Sequence, residues 1–223
     1  MHASIGVSVM ENEVEIPMPG GAADAVLYRW SDDRKPGVIF LPDGIGTRPS
    51  QRQMARRLAG EGYTVLLPNI YYRIARPPFF DRKFDFDDSA MRGRLSELTS
   101  SLPPEAMERD GSAYVDFLGA QPEVGDGPMG IVGFCFTGQF ALRTAAVRPD
   151  RIAAAASFHG GGLFKDDPAS PHLALPRVKA RLYFGHARED RSMPAEAIAK
   201  FEEALARWGG SYAHLREARG APP

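Results

Sequence analysis

The segment GIVGFCFTGQFAL, residues 130–142, holds the only cysteine of the chain. Cys135 stands between Gly133 and Gly138, where an apolar run stops and a helical pattern begins. A strand, a sharp turn flanked by small residues and then a helix form the setting that pushes a nucleophile into the open. The glycines let strand and helix approach each other while the central side chain projects. A thiol at that tip can attack a carbonyl carbon, and the N–H groups and dipole of the following helix predict a thiolate favoured over the thiol. A lone cysteine at a strand end is equally compatible with a small buried hydrophobe, so the local pattern leaves both readings open. Further along, in GHARED, Asp190 lies four residues before Pro194. There a carboxylate can hold an imidazole in its working tautomer. Glu189 competes with it, and for both the alternative is a solvated loop carboxylate.

The elements that must position these groups follow from the hydrophobic pattern. Residues 13–30 read as two short runs around Pro-Gly-Gly, an antiparallel hairpin at a sheet edge. Val38 to Leu41 is apolar on both faces, as in a strand covered on both sides, and ends in a glycine-bearing loop. A helix follows, with Ser50 as the expected cap, Met54 and Leu58 on one face, and Gly60 and Gly62 as stops. YTVLLPNIYY reads as a strand, residues 74–89 as a Pro/Phe/Asp-rich loop, and 90–100 and 104–118 as helices. MGIVGFCF, IAAAASFHGG and ARLYFGHARED are further strands, with helices over 138–147 and from Pro194, where Ile198, Phe201, Leu205 and Trp208 recur at helical steps. This alternation predicts one α/β domain over residues 1–223, a mainly parallel sheet with helices on both faces and active loops at the C-terminal ends of its strands.

Composition narrows the function classes. With 223 residues, 43% of them apolar and 25% charged, the chain can close a single soluble core. A net charge of -1 without a basic run argues against nucleic acid as a partner. No apolar stretch has spanning length and the start MHASIGVSVMENEVEI lacks the form of a secretory signal. These features, with one free thiol, predict a cytoplasmic protein with no membrane partner. Histidines and carboxylates lack tight ligand spacing, so neither a metal nor another cofactor is expected. No sequence feature sets an oligomeric state.

Taken together, GVIFLPDGIG, LPNIYYR, GFCFTG, ASFHGGGL and YFGHAREDRSMP resemble, in that order, the motifs of the dienelactone hydrolase family, cysteine-dependent members of the α/β-hydrolase fold. The resemblance covers most of the chain, and the elbow with the last segment is its specific part. It implies a hydrolase of small lactones or esters that carry a carboxylate. Cys135 would be the nucleophile and Asp190 the triad acid, with oxyanion donors from the backbone of Phe136 and Gly44. It further implies that Asp43 contacts the resting thiol and that Arg73 clamps the substrate carboxylate, a task that suits a guanidinium's paired donors. Thr137 stands where the family usually has glycine, and Asn69 where many members have aspartate.

One departure touches the chemistry. In the family the catalytic histidine follows the last strand and a final helix closes the sheet, whereas this chain reads GGSYAHLREARGAPP to its end. The expectation is therefore an α/β-hydrolase domain lacking the C-terminal histidine loop and last helix, through truncation or a frameshift near residue 211. His2 reads as a terminal residue, His159 as a neighbour of the site, His172 as a loop residue and His186 as a strand-end hydrogen-bonding group. His214 remains as the candidate base, on the segment that leads to the missing loop. The contrasting reading is a catalytically silent protein that binds small carboxylates in the old pocket, the discriminating feature being a histidine within reach of Cys135 and Asp190. A redox role would lack a second cysteine to resolve the oxidised thiol.

Overall fold

The chain's computed structural model describes residues 9–216. β1 (Met10–Met18) and β2 (Gly21–Arg29) form the expected hairpin, with Gly20 and Gly21 at positive φ in its turn, a conformation that glycine adopts without a side-chain clash. β2 then pairs antiparallel with β4 (Thr64–Pro68). All other pairings are parallel, among β3 (Gly37–Leu41), β4, β5 (Met129–Phe134), β6 (Ile152–Phe158), β7 (Arg181–His186) and β8 (Tyr212–Arg216). The resulting order is β1-β2-β4-β3-β5-β6-β7-β8. Every residue of β4 is buried and β3 is nearly so, which is why these strands carry unbroken apolar runs.

The order also assigns the helices to faces. From β3 the chain steps one way through α1 (Pro49–Gly60) to β4, and the other way from β5 through α4 (Gly138–Val147) and α5 (Ala195–Trp208) to β8. Right-handed crossovers in opposite directions place α1 on one face and α4 and α5 on the other. Two apolar clusters follow. The larger joins Leu118 of α3 (Pro104–Gly119), Phe140, Leu182, Phe201 and Leu205, and the smaller joins Tyr28, Phe40, Val65 and Leu67 to Ala55 and Ala59 of α1. The first helix starts one residue earlier than Ser50, with Pro49 at its first position and Arg48 extended before it, because proline's fixed φ opens a helix at no hydrogen-bond cost. α2 (Ser89–Ser100) is capped by Asp88, whose carboxylate accepts the N–H groups of Ala90 and Met91. Among the described residues no helix is long and apolar enough to cross a membrane.

Candidate active site

β5 ends at Phe134, and Cys135 follows at φ 53°, on the first residue of a single 3-10 turn that leads into α4. A non-glycine residue there is strained, typically by about 1–3 kcal/mol, and persists only where its surroundings hold it. Those surroundings are explicit. A Cβ on Gly133 would lie 2.1 Å from the Thr137 carbonyl oxygen, and one on Gly138 would lie 2.2 Å from Ser157 Oγ and 2.9 Å from the Gly160 backbone. Only glycines allow the strand, turn and helix to close this far. Thr137, fully buried, fastens the turn: its hydroxyl accepts the Phe134 N–H at 2.9 Å and lies 3.1 Å from the Phe134 and 3.3 Å from the Leu41 carbonyl oxygens.

The backbone N–H groups of Phe136 and Gly44 both face the Cys135 sulfur. The Gly44 carbonyl accepts a hydrogen bond of 2.8 Å from the buried Tyr71 hydroxyl, which fixes the loop that carries one of these two donors. Cys135 is exposed on its outer side, yet the protein around its sulfur displaces enough water to push the thiol above its ordinary range. The carboxylates of Asp43 and Asp190 push it the same way, and the two amides only partly oppose them. This reverses the sequence expectation, because desolvation and two anions outweigh a helix start that is a 3-10 turn. At pH 7.5 iodoacetamide should therefore alkylate Cys135 more slowly than free cysteine, with a rate that keeps climbing with pH where free cysteine has levelled off. Asp190→Asn removes one anion, favours the thiolate and should speed labelling at pH 7.5. Labelling faster than free cysteine in the unaltered chain would contradict this electrostatic account.

Asp190 lies in the loop after β7, where its Oδ1 accepts the Ser192 N–H at 2.8 Å and the Ser192 hydroxyl at 2.6 Å. That loop is docked on the elbow through the Gly160–Gly162 segment: Gly162 N–H donates to Ser192 O and Gly161 N–H to Cys135 O. The structure thus brings Cys135, Phe136, Gly44 and Asp190 together at the C-terminal ends of β3, β5 and β7.

The remaining sequence candidates are placed differently. Asp43 is held by Arg48, each oxygen taking one guanidinium nitrogen at 2.7 Å, and by Gln51 and the Ile45 N–H. It acts on the thiol through its charge. Arg73 gives both terminal nitrogens, at 2.6 Å, to Asp110, a fully buried carboxylate on α3, and its guanidinium lies over the Tyr72 ring. The fork expected to clamp a substrate is thus filled by the protein itself.

His214 does not reach the thiol. Its Nδ1 lies 2.8 Å from Glu202 of α5, and the register aligns it with Phe184, Ser157 and Gly133. It is therefore three strand spacings, roughly 14 Å, from the elbow strand and short of Cys135 along it. Side-chain alternation points it at α5. His172 bonds Ser170 and stacks on Phe164, and His186 is walled in by Phe184 and Phe201. His159 is exposed at φ 41°, its N–H on the Gly185 carbonyl and its ring beside Phe134. His2 lies outside the described residues.

The family model for dienelactone hydrolases matches residues 23–213. The chain belongs to the dienelactone hydrolase family. A carboxymethylenebutenolidase of Rhodococcus opacus is 28% identical to it over 170 residues, 76% of this chain and 62% of that protein. Carboxymethylenebutenolidase 1 of Cupriavidus pinatubonensis is 26% identical over 84% of this chain and 75% of its own. The chain thus spans less than two thirds of the Rhodococcus protein's length. In fold it is similar to a dienelactone hydrolase-like promiscuous phosphotriesterase from metagenomic libraries, with a TM-score of 0.77 and 21% identity over 93% of this chain and 81% of the other. Within this dienelactone hydrolase fold, Tyr71, Arg48 and Asp110 are site-supporting residues that sequence reasoning passed over. Only Tyr71 carried a signal, an aromatic residue three positions after a strand end; the partners of Arg48 and Asp110 emerge only from packing.

Proposed function

We propose that the chain is a cysteine hydrolase of small lactones or esters that carry a carboxylate. The observation that carries this reading is the strained elbow of Cys135 with the Phe136 and Gly44 amides converging on its sulfur. The thiolate attacks the acyl carbon, the carbonyl oxygen gathers charge and the C–O bond to the leaving alkoxide breaks, giving a thioester on Cys135. Water then cleaves the thioester to the acid and restores the thiol. Donors aimed at the developing oxyanion contribute roughly a hundredfold or more each. In the resting arrangement the sulfur occupies their field, so it must swing outward before a substrate oxygen can take its place.

Beside the oxyanion loop lies a cleft of about 640 Å³, walled by Ile45, Phe79, Phe80 and Phe84 and rimmed by Arg48 and Lys83. Apolar rings beside cations suit an unsaturated or aromatic acyl group bearing a carboxylate. In this reading Lys83 recognises the anion, while Arg48 holds Asp43 and Arg73 positions the loop after β4. The test is intact-mass spectrometry after mixing with an activated ester of a small dicarboxylic acid. The expected adduct of one acyl group on Cys135 should be absent from Cys135→Ala; an adduct elsewhere, or none, rejects the nucleophile.

The raised thiol pKa and the placement of His172 and His214 favour a second reading, a protein that binds small carboxylates in this cleft without turning them over. Binding of the free acid with no adduct on Cys135 would select it.

A further inference from the structure

α1 starts at the cleft beside the oxyanion loop, and its first turn is open. Arg48 precedes it without a side-chain cap, and no acidic residue stands in that turn. Arg52 N–H bonds the Arg48 carbonyl at 3.0 Å, but the N–H groups of Ser50 and Gln51 have no acceptor among the described residues. The positive end of the helix is therefore uncompensated. A second group points the same way. Thr47, two residues before α1, lines the cleft, is only 7% exposed, and its hydroxyl has no hydrogen-bond partner among the described residues. A buried hydroxyl left unpaired works against the fold, so its position on a cleft calls for a partner from outside the chain. The turn before it is tightly seated: Gly46 stands at φ 85°, and a Cβ there would lie 2.5 Å from the Phe79 ring. Four cations line the cleft, Arg48, Arg52, Arg82 and Lys83, against one carboxylate, Asp81. The three arginines are held by Asp43, by Glu11 and Glu13, and by Asp88, while Lys83 makes no ion pair among the described residues. Because Glu11 and Glu13 belong to β1, this side of α1 faces the sheet edge opposite β8.

We propose that this end of the cleft is the subsite for the substrate's own carboxylate, which takes the Thr47 hydroxyl and the Ser50 and Gln51 amides as donors and Lys83 as its counter-charge. Thr47 is then a specificity-determining residue. The inference rests on the ester-hydrolase reading for the place of the acyl carbon, at the Gly44 amide. Thr47 follows Gly44 by three residues, at most about 11 Å of chain. The loop is folded back between them, with Gly46 N–H on the Asp43 carbonyl at 2.9 Å. That reach suits a diacid of about five carbons, whose carboxyl carbons stand about 5 Å apart with a hydrogen bond of about 3 Å at each end.

Calorimetric titration of the full chain with glutarate and with pentanoate, which lacks the second carboxylate, tests the subsite without any chemical step. Glutarate is expected to bind at least about tenfold more tightly, and Thr47→Val should erase that difference while leaving pentanoate unchanged. Lys83→Met should reduce it as well. Valine has nearly the shape of threonine and removes only the unpaired hydroxyl, so the Tm of Thr47→Val should hold or rise. In stopped flow, the same variant should slow the acylation burst of mono-para-nitrophenyl glutarate about tenfold at subsaturating concentration. It should spare the ester that carries an isopropyl group in place of the carboxylate. Equal affinities for the two acids, a Thr47→Val chain that still prefers glutarate, or a fall in its Tm overturns the subsite. A preference for glutarate that Thr47→Val removes, with no burst from either ester, supports the subsite and rejects Cys135 as the nucleophile.

Discussion

Replacing Arg73 by alanine is expected to destabilise the fold by about 3–5 kcal/mol, because it strands the fully buried Asp110 carboxylate without its cation. Among the described residues only the Tyr72 hydroxyl, 3.3 Å away, would remain as a side-chain hydrogen-bond partner for it. For a chain of this size the loss corresponds to a fall in Tm of roughly 10 °C. The double variant Arg73→Ala/Asp110→Ala should cost less than the two single changes added together, since it removes the stranded charge as well. Kinetics separates this account from a substrate clamp. If Arg73 only positions its loop, KM should shift alike for carboxylate-bearing and neutral esters. A loss confined to charged esters, with stability intact, would return Arg73 to the substrate site.

With an activated ester in stopped flow, the chain is expected to release about one equivalent of alcohol rapidly and then to turn over at least ~100-fold more slowly. The asymmetry comes from the two halves of the reaction. A thiol is nucleophilic enough to be acylated with little help, whereas a water that attacks the thioester gains typically 10²–10⁴-fold from a positioned base. His214 is held by Glu202 and His172 by Ser170. Free imidazole in the buffer should accelerate the slow phase and leave the burst unchanged, and Cys135→Ala should abolish both. Sustained fast turnover without a burst would show that a base acts on Cys135 and would rule out deacylation as the slow half.

The order of strands and helices was legible because each element carries its own period, and the elbow because Gly133, Cys135 and Gly138 stand close in sequence. Asp190 was, on local grounds, only one of two adjacent loop carboxylates, with Glu189, and the resemblance to the family singled it out. What escaped the sequence is non-local. Asp110 reads as an ordinary helix carboxylate until α3 packs against the loop that bears Arg73, 37 residues away. The sign of the thiol's shift depends on how much protein surrounds the sulfur and on two carboxylates from separate loops, neither of which a helix-start argument contains. Its place in the chain order makes His214 the candidate base. The register of β8, which only pairing defines, moves it out of range.

Thr137 joins the elbow to the last carbonyl of β3, three residues before Gly44. Its consequence is mechanical. In the proposed reaction the two amides that would receive the substrate oxygen follow different strands, and independent strands would let the gap between them breathe with every fluctuation of the sheet. A single buried hydroxyl that touches both strand ends makes them move as one body, so the width of the hole is set before substrate arrives. The reaction then spends no energy re-aiming dipoles as charge builds up. A glycine at this place would allow the same close approach without that clasp, so the residue at which the chain departs from its family's usual elbow is also the one that would make the proposed oxyanion site stiff.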